Sequence, residues 1–146
     1  MRPFMPSPPL GEFIQVAEFR AALLHFLRES ERVTARHGLT PQRYILLLMI
    51  KGASDGSESS TVTELSQRMQ LAQHTVTELV GRAVRAGLIR RTASAEDGRV
   101  VRLSLTAKGE RSLMHSFTDL DAERRDLRAL TARTIRKIGR LGRDKS

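Results

Sequence analysis

The arrangement of residues 61–106 constrains the fold more than any other feature of this sequence. The run Thr-Val-Thr-Glu at residues 61–64 is a capping box, in which the hydroxyl and the carboxylate each accept from a free N–H group at a helix start. Apolar spacing predicts a short helix that ends near Met69 and a second helix from about Gln73 to Ala86, with a break of turn length between them. Gly87 is placed to end the second helix. The sequence therefore predicts a helix-turn-helix in this segment.

Two strands are predicted directly after the second helix. Leu88 to Ala93 and Arg99 to Thr106 alternate as half-buried strands do, and residues 95–98 between them form a hairpin tip. A helix-turn-helix followed by a two-stranded ribbon is a winged helix-turn-helix. We therefore predict a mainly α fold with a small β-wing, of class α+β, in which this core is flanked by further helices.

The flanking segments are predicted to be helical. A helix from Leu10 to about His37 is followed by Gly38 as a left-handed cap, and Thr40 with Pro41 starts an almost wholly apolar helix that runs to about Lys51. Residues 52–60 are predicted to be a flexible loop. Thr106 caps a further helix from Ala107, and the C-terminal helical stretch bends near residues 117–121. Residues 1–9 are proline-rich and are predicted to be a disordered arm.

Composition limits the classes of function that this chain serves. Lys and Arg number 25 against 16 Asp and Glu, for a formal charge of +9, which attracts polyanions. Without cysteine there is no disulfide or thiolate metal site, and no apolar run reaches the ~20 residues of a membrane span. The four histidines are scattered and no phosphate-binding glycine loop occurs. We expect a cytoplasmic protein that is not an enzyme and has no catalytic residues, cofactor, metal or membrane partner.

The second helix of the pair carries a polar face suited to a DNA groove. The major groove of B-DNA admits an α-helix, whose N-terminal residues then reach base edges. Gln73 and His74 are placed to contact bases, and Thr75 and Thr77 to contact a phosphate or a thymine methyl group. Arg82, with Arg85, lies further along the helix and is expected to contact the backbone. Taken alone, the same pattern also fits an ordinary amphipathic surface helix.

The predicted ribbon adds an arginine cluster to this helix. Arg90, Arg91, Arg99 and Arg102 lie on or beside the two strands. An arginine at a hairpin tip inserts into the narrow minor groove, where the potential is strongly negative. Asp97 is expected to hold the Arg99 guanidinium in a bidentate pair, and the alternative is that Asp97 and Gly98 are simply good turn residues.

The chain resembles the MarR family of bacterial regulators over about residues 10–115. The resemblance lies in LTPQRYILLL from Leu39, TVTELSQRM from Thr61, VTELVGRAVRAGLIRR from Val76, the wing DGR at 97–99 and LTAKG at 105–109. It implies an interlocked homodimer, a near-palindromic operator on double-stranded DNA, and repression that a small aromatic or lipophilic effector releases. It also implies DNA contacts by Gln73, His74, Thr75 and Thr77 and by the Asp97–Arg99 wing.

The resulting interpretation divides the chain into an arm (1–9), dimerisation helices (10–38 and 107–146) and a winged helix DNA-binding domain (39–106). The apolar stripe of the first helix is expected to be covered by the C-terminal helices and by a second copy. An effector pocket is expected beside His25, Arg28, Tyr44 and His115, although a buried His or Tyr is more often satisfied by a carbonyl. The alternative function is a nucleoid-associated or protein-interaction module without a specific operator.

Overall fold

A computed structural model describes residues 6–141, with side chains described for residues 6–133. Residues 1–5 of the predicted arm and 142–146 of the predicted C-terminal segment lie outside the described residues. Residues 6–9 form neither helix nor strand. In chain order the elements are α1 (Leu10–Arg36), α2 (Pro41–Lys51), β1 (Ser59–Ser60), α3 (Val62–Met69), α4 (Gln73–Arg85), β2 (Ile89–Ala93), β3 (Val101–Leu105), α5 (Ala107–Asp119) and α6 (Asp121–Leu141). The predicted winged helix-turn-helix is confirmed.

The chain forms two compact units. One comprises residues 31–119 and holds α2 to α5 with the sheet and the end of α1, and the other comprises residues 1–30 and 120–146. No helix among the described residues is both long and apolar enough to cross a membrane.

Local capping groups set the helix boundaries as the sequence predicts. The Thr40 hydroxyl accepts from the Arg43 N–H at 3.2 Å, directly before Pro41. At the start of α3 the Thr61 hydroxyl accepts from the Glu64 N–H at 3.2 Å, and Glu64 Oε2 accepts from the Thr61 N–H at 3.1 Å. Both bonds satisfy N–H groups that have no partner inside the helix.

Glycines mark two of the helix ends. Gly38 follows α1 with φ of 73° and Gly87 follows α4 with φ of 75°, a left-handed conformation that favours glycine. The C-terminal helical stretch is interrupted within the predicted range, because α5 ends at Asp119 and α6 begins at Asp121.

The core of the 31–119 unit surrounds α2. Leu46, Leu47 and Ile50 are fully buried, and α2 contacts α3, α4, α5 and two of the strands. The fully buried residues Leu65 of α3 and Val76 of α4 come from the predicted inner faces of those helices. Val62 and Met69 of α3 and Val84 of α4 are only half-buried.

The sheet has three strands, where the sequence predicts a two-stranded ribbon. β1 lies in the segment predicted to be a flexible loop and pairs antiparallel with β3, in the order β1-β3-β2. Arg102 of β3 donates to the Ser59 hydroxyl at 2.9 Å and to the Ser59 carbonyl at 3.1 Å. Two serines carry no strand signal of their own. The pairing therefore comes from contacts with residues 43 positions away in sequence.

A close backbone contact joins α5 to the start of β2. A Cβ at Gly109 would lie 3.0 Å from the Leu88 carbonyl carbon and 3.3 Å from its Cα, with the carbonyl oxygen closer still. That oxygen accepts from the Thr106 N–H at 3.0 Å. The Thr106 hydroxyl in turn accepts from the Gly109 N–H at 3.1 Å and caps α5 as predicted. Only glycine allows this approach of helix to strand.

The unit of residues 1–30 and 120–146 leaves much of its apolar side-chain surface exposed. Six large apolar side chains of α1 are 48 to 73% exposed: Leu10, Phe13, Ile14, Val16, Leu24 and Leu27. Leu120, beside the start of α6, is buried. The predicted apolar stripe of the first helix is thus largely uncovered within one chain.

Candidate nucleic-acid interface

The helix α4 has one buried and one exposed face. Its inward side chains, Val76, Leu79, Val80 and Ala83, are at most 5% exposed. Gln73, His74 and Thr77 are exposed, and the first turn holds no acidic residue. The residue before the helix is Ala72, which provides no side-chain cap. The first N–H groups of α4 therefore keep their donor capacity and the positive end of the helix dipole stays open. An uncapped start of α4 could have been predicted from Ala72, because alanine has no side-chain acceptor for the first N–H groups of a helix.

Hydrogen bonds distinguish the polar side chains at the start of α4. Gln73 Nε2 donates to the Thr63 hydroxyl over 3.4 Å, a long bond that leaves the amide oxygen open. The Thr77 hydroxyl donates to the Gln73 carbonyl at 2.9 Å, so its proton is in use and its methyl group faces outward. Thr75 is half-buried.

The wing tip is held by a turn rather than by the predicted ion pair. Asp97 Oδ1 accepts from the backbone N–H of Arg99 at 3.0 Å, which is an Asx-turn. No ion pair joins the two side chains, so the expectation that Asp97 holds the guanidinium is wrong. The Asp97 side chain is short, so its carboxylate binds the backbone N–H group two residues further along the chain. Arg99 itself is exposed and has no anionic partner among the described residues.

Two of the four ribbon arginines have protein partners. Arg90 donates to the Leu105 carbonyl at 3.3 Å, and Arg102 is bound to Ser59. Arg102 also lies 4.0 Å from the Glu64 carboxylate. Arg91 is exposed on β2, and Arg82 is exposed on α4. Among the described residues, the side chains of Arg82, Arg85, Arg91 and Arg99 are exposed and form no hydrogen bond or ion pair.

The residues predicted to bind an effector are divided between the two units. Tyr44 and His115 belong to the 31–119 unit, where Tyr44 is buried and the His115 ring lies 5.6 Å from the His37 ring. His25 and Arg28 lie on α1 in the other unit, and both are exposed. His25 lines a cavity of about 490 Å³ between α1 and α6, alongside Phe26 and Leu130.

An apolar cavity that the sequence did not predict lies within the 31–119 unit. It has a volume of about 300 Å³ and is lined by Leu48, Lys51, Gly52, Glu110, Leu113, Met114 and Phe117. Lys51 Nζ lies 2.8 Å from Glu58 and 2.9 Å from Glu110. The hydrogen bonds to Glu58 and to Glu110 raise the pKa of Lys51 above its ordinary value. No group of three or more possible metal ligands occurs among the residues that the structure describes.

Sequence comparison assigns the winged helix to a known family. The MarR family model matches residues 37–100, from the end of α1 to the wing. Within this chain, the similarity to the MarR family lies in the winged helix. A curated relative, the uncharacterized HTH-type transcriptional regulator YsmB of Bacillus subtilis (strain 168), is 29% identical over 127 residues, which are 84% of this chain and 82% of YsmB.

Solved structures share the fold of this chain. The YusO protein of Bacillus subtilis is 26% identical with a TM-score of 0.59, and the match covers 92% of this chain and 93% of YusO. A mutant MarR from E. coli, solved in complex with operator DNA, is 19% identical with a TM-score of 0.65. That match covers 94% of this chain and 98% of the other.

Proposed function

We propose that this chain is a MarR-family, sequence-specific transcriptional regulator that binds double-stranded DNA through α4 and the wing. The observation that carries the proposal is the division of α4 into a buried apolar face and an exposed polar N-terminal end with open N–H groups. A protein-interaction helix more often exposes large apolar anchors at such a place. The proposed function includes no catalytic step. It is carried out in the cytoplasm, where the chromosome lies.

The start of α4 reads bases in the major groove. Gln73 has an open amide oxygen beside an NH₂ group, which suits a bidentate contact to adenine. His74, the next residue, is exposed and is placed to contact a neighbouring base. Thr77 offers its methyl group to a thymine methyl, since its hydroxyl proton is bound to the Gln73 carbonyl. Thr75, which is half-buried, lies close enough to the helix start to contact a phosphate.

The wing adds a minor-groove contact. Arg99 is exposed at the end of the Asx-turn that Asp97 makes, so the backbone of the tip is ordered while the guanidinium is open. Asp97 acts here by positioning the backbone of the tip. A guanidinium at a narrow minor groove gains from its enhanced negative potential. Arg82 and Arg91 bind the sugar-phosphate backbone between the two grooves.

A second copy of the chain completes the regulator. A single chain leaves the six exposed apolar side chains of α1 in water, and so much exposed apolar surface on one helix is uncommon for a monomer. A two-fold homodimer covers such a surface and presents two α4 helices about 34 Å apart, one turn of DNA. The operator is then a near-palindrome.

Repression with release by a small lipophilic or aromatic molecule fits the apolar cavity between α2 and α5. Its volume of about 300 Å³ is at the lower end of the range for small-molecule sites. The cavity lies one helix away from α4, since α2 contacts both α4 and α5. A ligand that separates α2 from α5 thus has a short route to the DNA-binding helix.

Fluorescence anisotropy on the chain's own upstream DNA and on scrambled DNA, at several salt concentrations, tests the proposal. We expect a preference of about 10³-fold or more for one site, saturating at two chains per site. Equal and steeply salt-dependent binding to both DNAs would indicate a nucleoid-type protein. No binding to either DNA at low salt would refute the DNA-binding role and leave a protein-interaction module.

A further inference from the structure

An open notch lies between α4 and β2, next to Thr77 and toward the C-terminal end of α4. It has a volume of about 480 Å³ and is lined by Thr77, Glu78, Gly81, Arg82, Arg85 and Arg91. Three guanidinium groups thus face one concave surface, with a single carboxylate at its side. The notch belongs entirely to the 31–119 unit.

The charges of the notch are not neutralised within the protein. Within the described residues, Arg82, Arg85 and Arg91 form no ion pair and no side-chain hydrogen bond, and Glu78 forms none either. Arg102, by contrast, is bound to Ser59. Three positive charges against one negative charge leave a net excess that favours an anion, and a guanidinium fork matches the oxygens of a phosphate.

Gly81 keeps the floor of this notch open. A Cβ at Gly81 would meet Arg85 Nη1 at 3.5 Å and no other atom outside the neighbouring helix backbone within 4 Å. The Arg85 side chain therefore extends along α4 toward Gly81, which is one helical turn nearer the N-terminus. Glycine is less favourable than alanine inside a helix. Its presence here leaves space directly beside the Arg85 guanidinium.

The length of α4 places the notch beside a DNA strand when the start of the helix is in the groove. From Gln73 to Arg85 the helix rises about 18 Å, at ~1.5 Å per residue. The major groove is only about 12 Å wide. A helix that contacts bases with its first turn therefore has its last turn at the backbone that borders the groove.

We propose that Arg82, Arg85 and Arg91 form a seat for one phosphate of the DNA backbone in each half-site, which sets the register of α4 on the bases. The inference rests on the proposed DNA-binding function and adds a defined contact to it. Arg85 lies on the floor and Arg91 reaches in from β2, so the phosphate bridges helix and strand.

Neutralising single phosphates of the operator tests this seat. In a series of operator duplexes, each phosphate in turn is replaced by an uncharged methylphosphonate, and affinity is measured by anisotropy. Wild-type protein is expected to bind about tenfold more weakly when one particular position per half-site is neutralised. The Arg85→Gln variant is expected to bind the unmodified operator more weakly and to be insensitive at that same position. Its salt slope falls by about 0.9 per chain.

Two further variants separate a phosphate contact from a general charge effect. Arg111→Gln removes one exposed charge from α5 in the same unit and is expected to keep the sensitive position. Arg85→Lys keeps the charge but loses the fork, and is expected to restore only part of the affinity. Circular dichroism verifies that all three variants are folded.

The two failures are distinguishable. In one outcome, the wild-type protein prefers its operator, and neutralisation of each phosphate weakens binding of the Arg85→Gln variant as much as binding of wild type. In that case the seat is refuted and the proposed function stands. If Arg111→Gln abolishes the same sensitivity, the effect is general and the seat is again refuted. If wild-type protein binds no DNA, both proposals fail.

Discussion

Replacing Gly109 by alanine tests the contact between α5 and the start of β2. The added methyl group would lie 3.0 Å from the Leu88 carbonyl carbon and 3.3 Å from its Cα. The Leu88 carbonyl oxygen would be closer still, far inside the separation of about 3.5 Å at which non-bonded atoms attract, so the strand must move away by about one ångström. Overpacking of this kind costs about 1–3 kcal/mol.

Two smaller effects act on the same variant. Moving the Leu88 carbonyl weakens the hydrogen bond that it accepts from the Thr106 N–H at 3.0 Å, at a cost of about 1 kcal/mol. Alanine is more favourable than glycine in a helix by about 1 kcal/mol, which offsets that loss. We therefore expect Gly109→Ala to lower the free energy of unfolding by about 1–3 kcal/mol.

Urea unfolding followed by circular dichroism, at one fixed protein concentration, measures this change. Gly98→Ala is the matched control, because Gly98 lies in the same unit and a Cβ there has no neighbour within 4 Å. The control is expected to be neutral or slightly stabilising, by up to ~1 kcal/mol. If the two variants have the same stability within about 0.5 kcal/mol, the steric argument for glycine at this position is wrong.

Four other substitutions, one of them with a control variant, test the DNA interface and the packing that supports it. Arg99→Ala is expected to weaken binding to operator and random DNA alike and to lower the salt slope, measured by anisotropy, by about 0.9 for each phosphate that the guanidinium neutralises; an unchanged slope would exclude the wing from the interface. Gln73→Ala should cost about 1–3 kcal/mol on the operator and almost nothing on random DNA, and equal effects on both would count against base reading. Thr61→Ala removes the cap of α3 and should cost about 1 kcal/mol in urea unfolding, whereas Thr63→Ala, on an exposed position of the same helix, should stay within about 0.5 kcal/mol. The pKa of Lys51 is raised above 10.5 in the folded state, so its ion pairs stabilise the protein fully below that pH and lose their effect as the pH rises through the folded pKa. Lys51→Met should abolish this part of the alkaline loss in thermal melts, and an identical pH profile in the variant would show that the ion pairs do not contribute.

The helices and their ends were predictable from the sequence because their causes are local. A capping threonine, the glutamate three residues later and a glycine after the last turn act within one turn of chain. The start of α3 and the turns at Gly38 and Gly87 follow from such signals. The apolar face of α4 was likewise predictable, because burial repeats with the helical period. The same locality made the helix-turn-helix and its wing recognisable.

Tertiary structure decided how the polar and charged residues are used. Ser59 and Ser60 form a strand only because Arg102 and β3 provide partners from 43 residues away. Four ribbon arginines look alike in sequence, yet Arg90 is bound to a carbonyl of the sheet while Arg91 faces a notch. Long side chains reach partners that no periodic pattern encodes. The sequence by itself thus determined the helices, the two strands of the ribbon and the polar end of α4. Only packing determined the third strand and which arginines stay open to an anion.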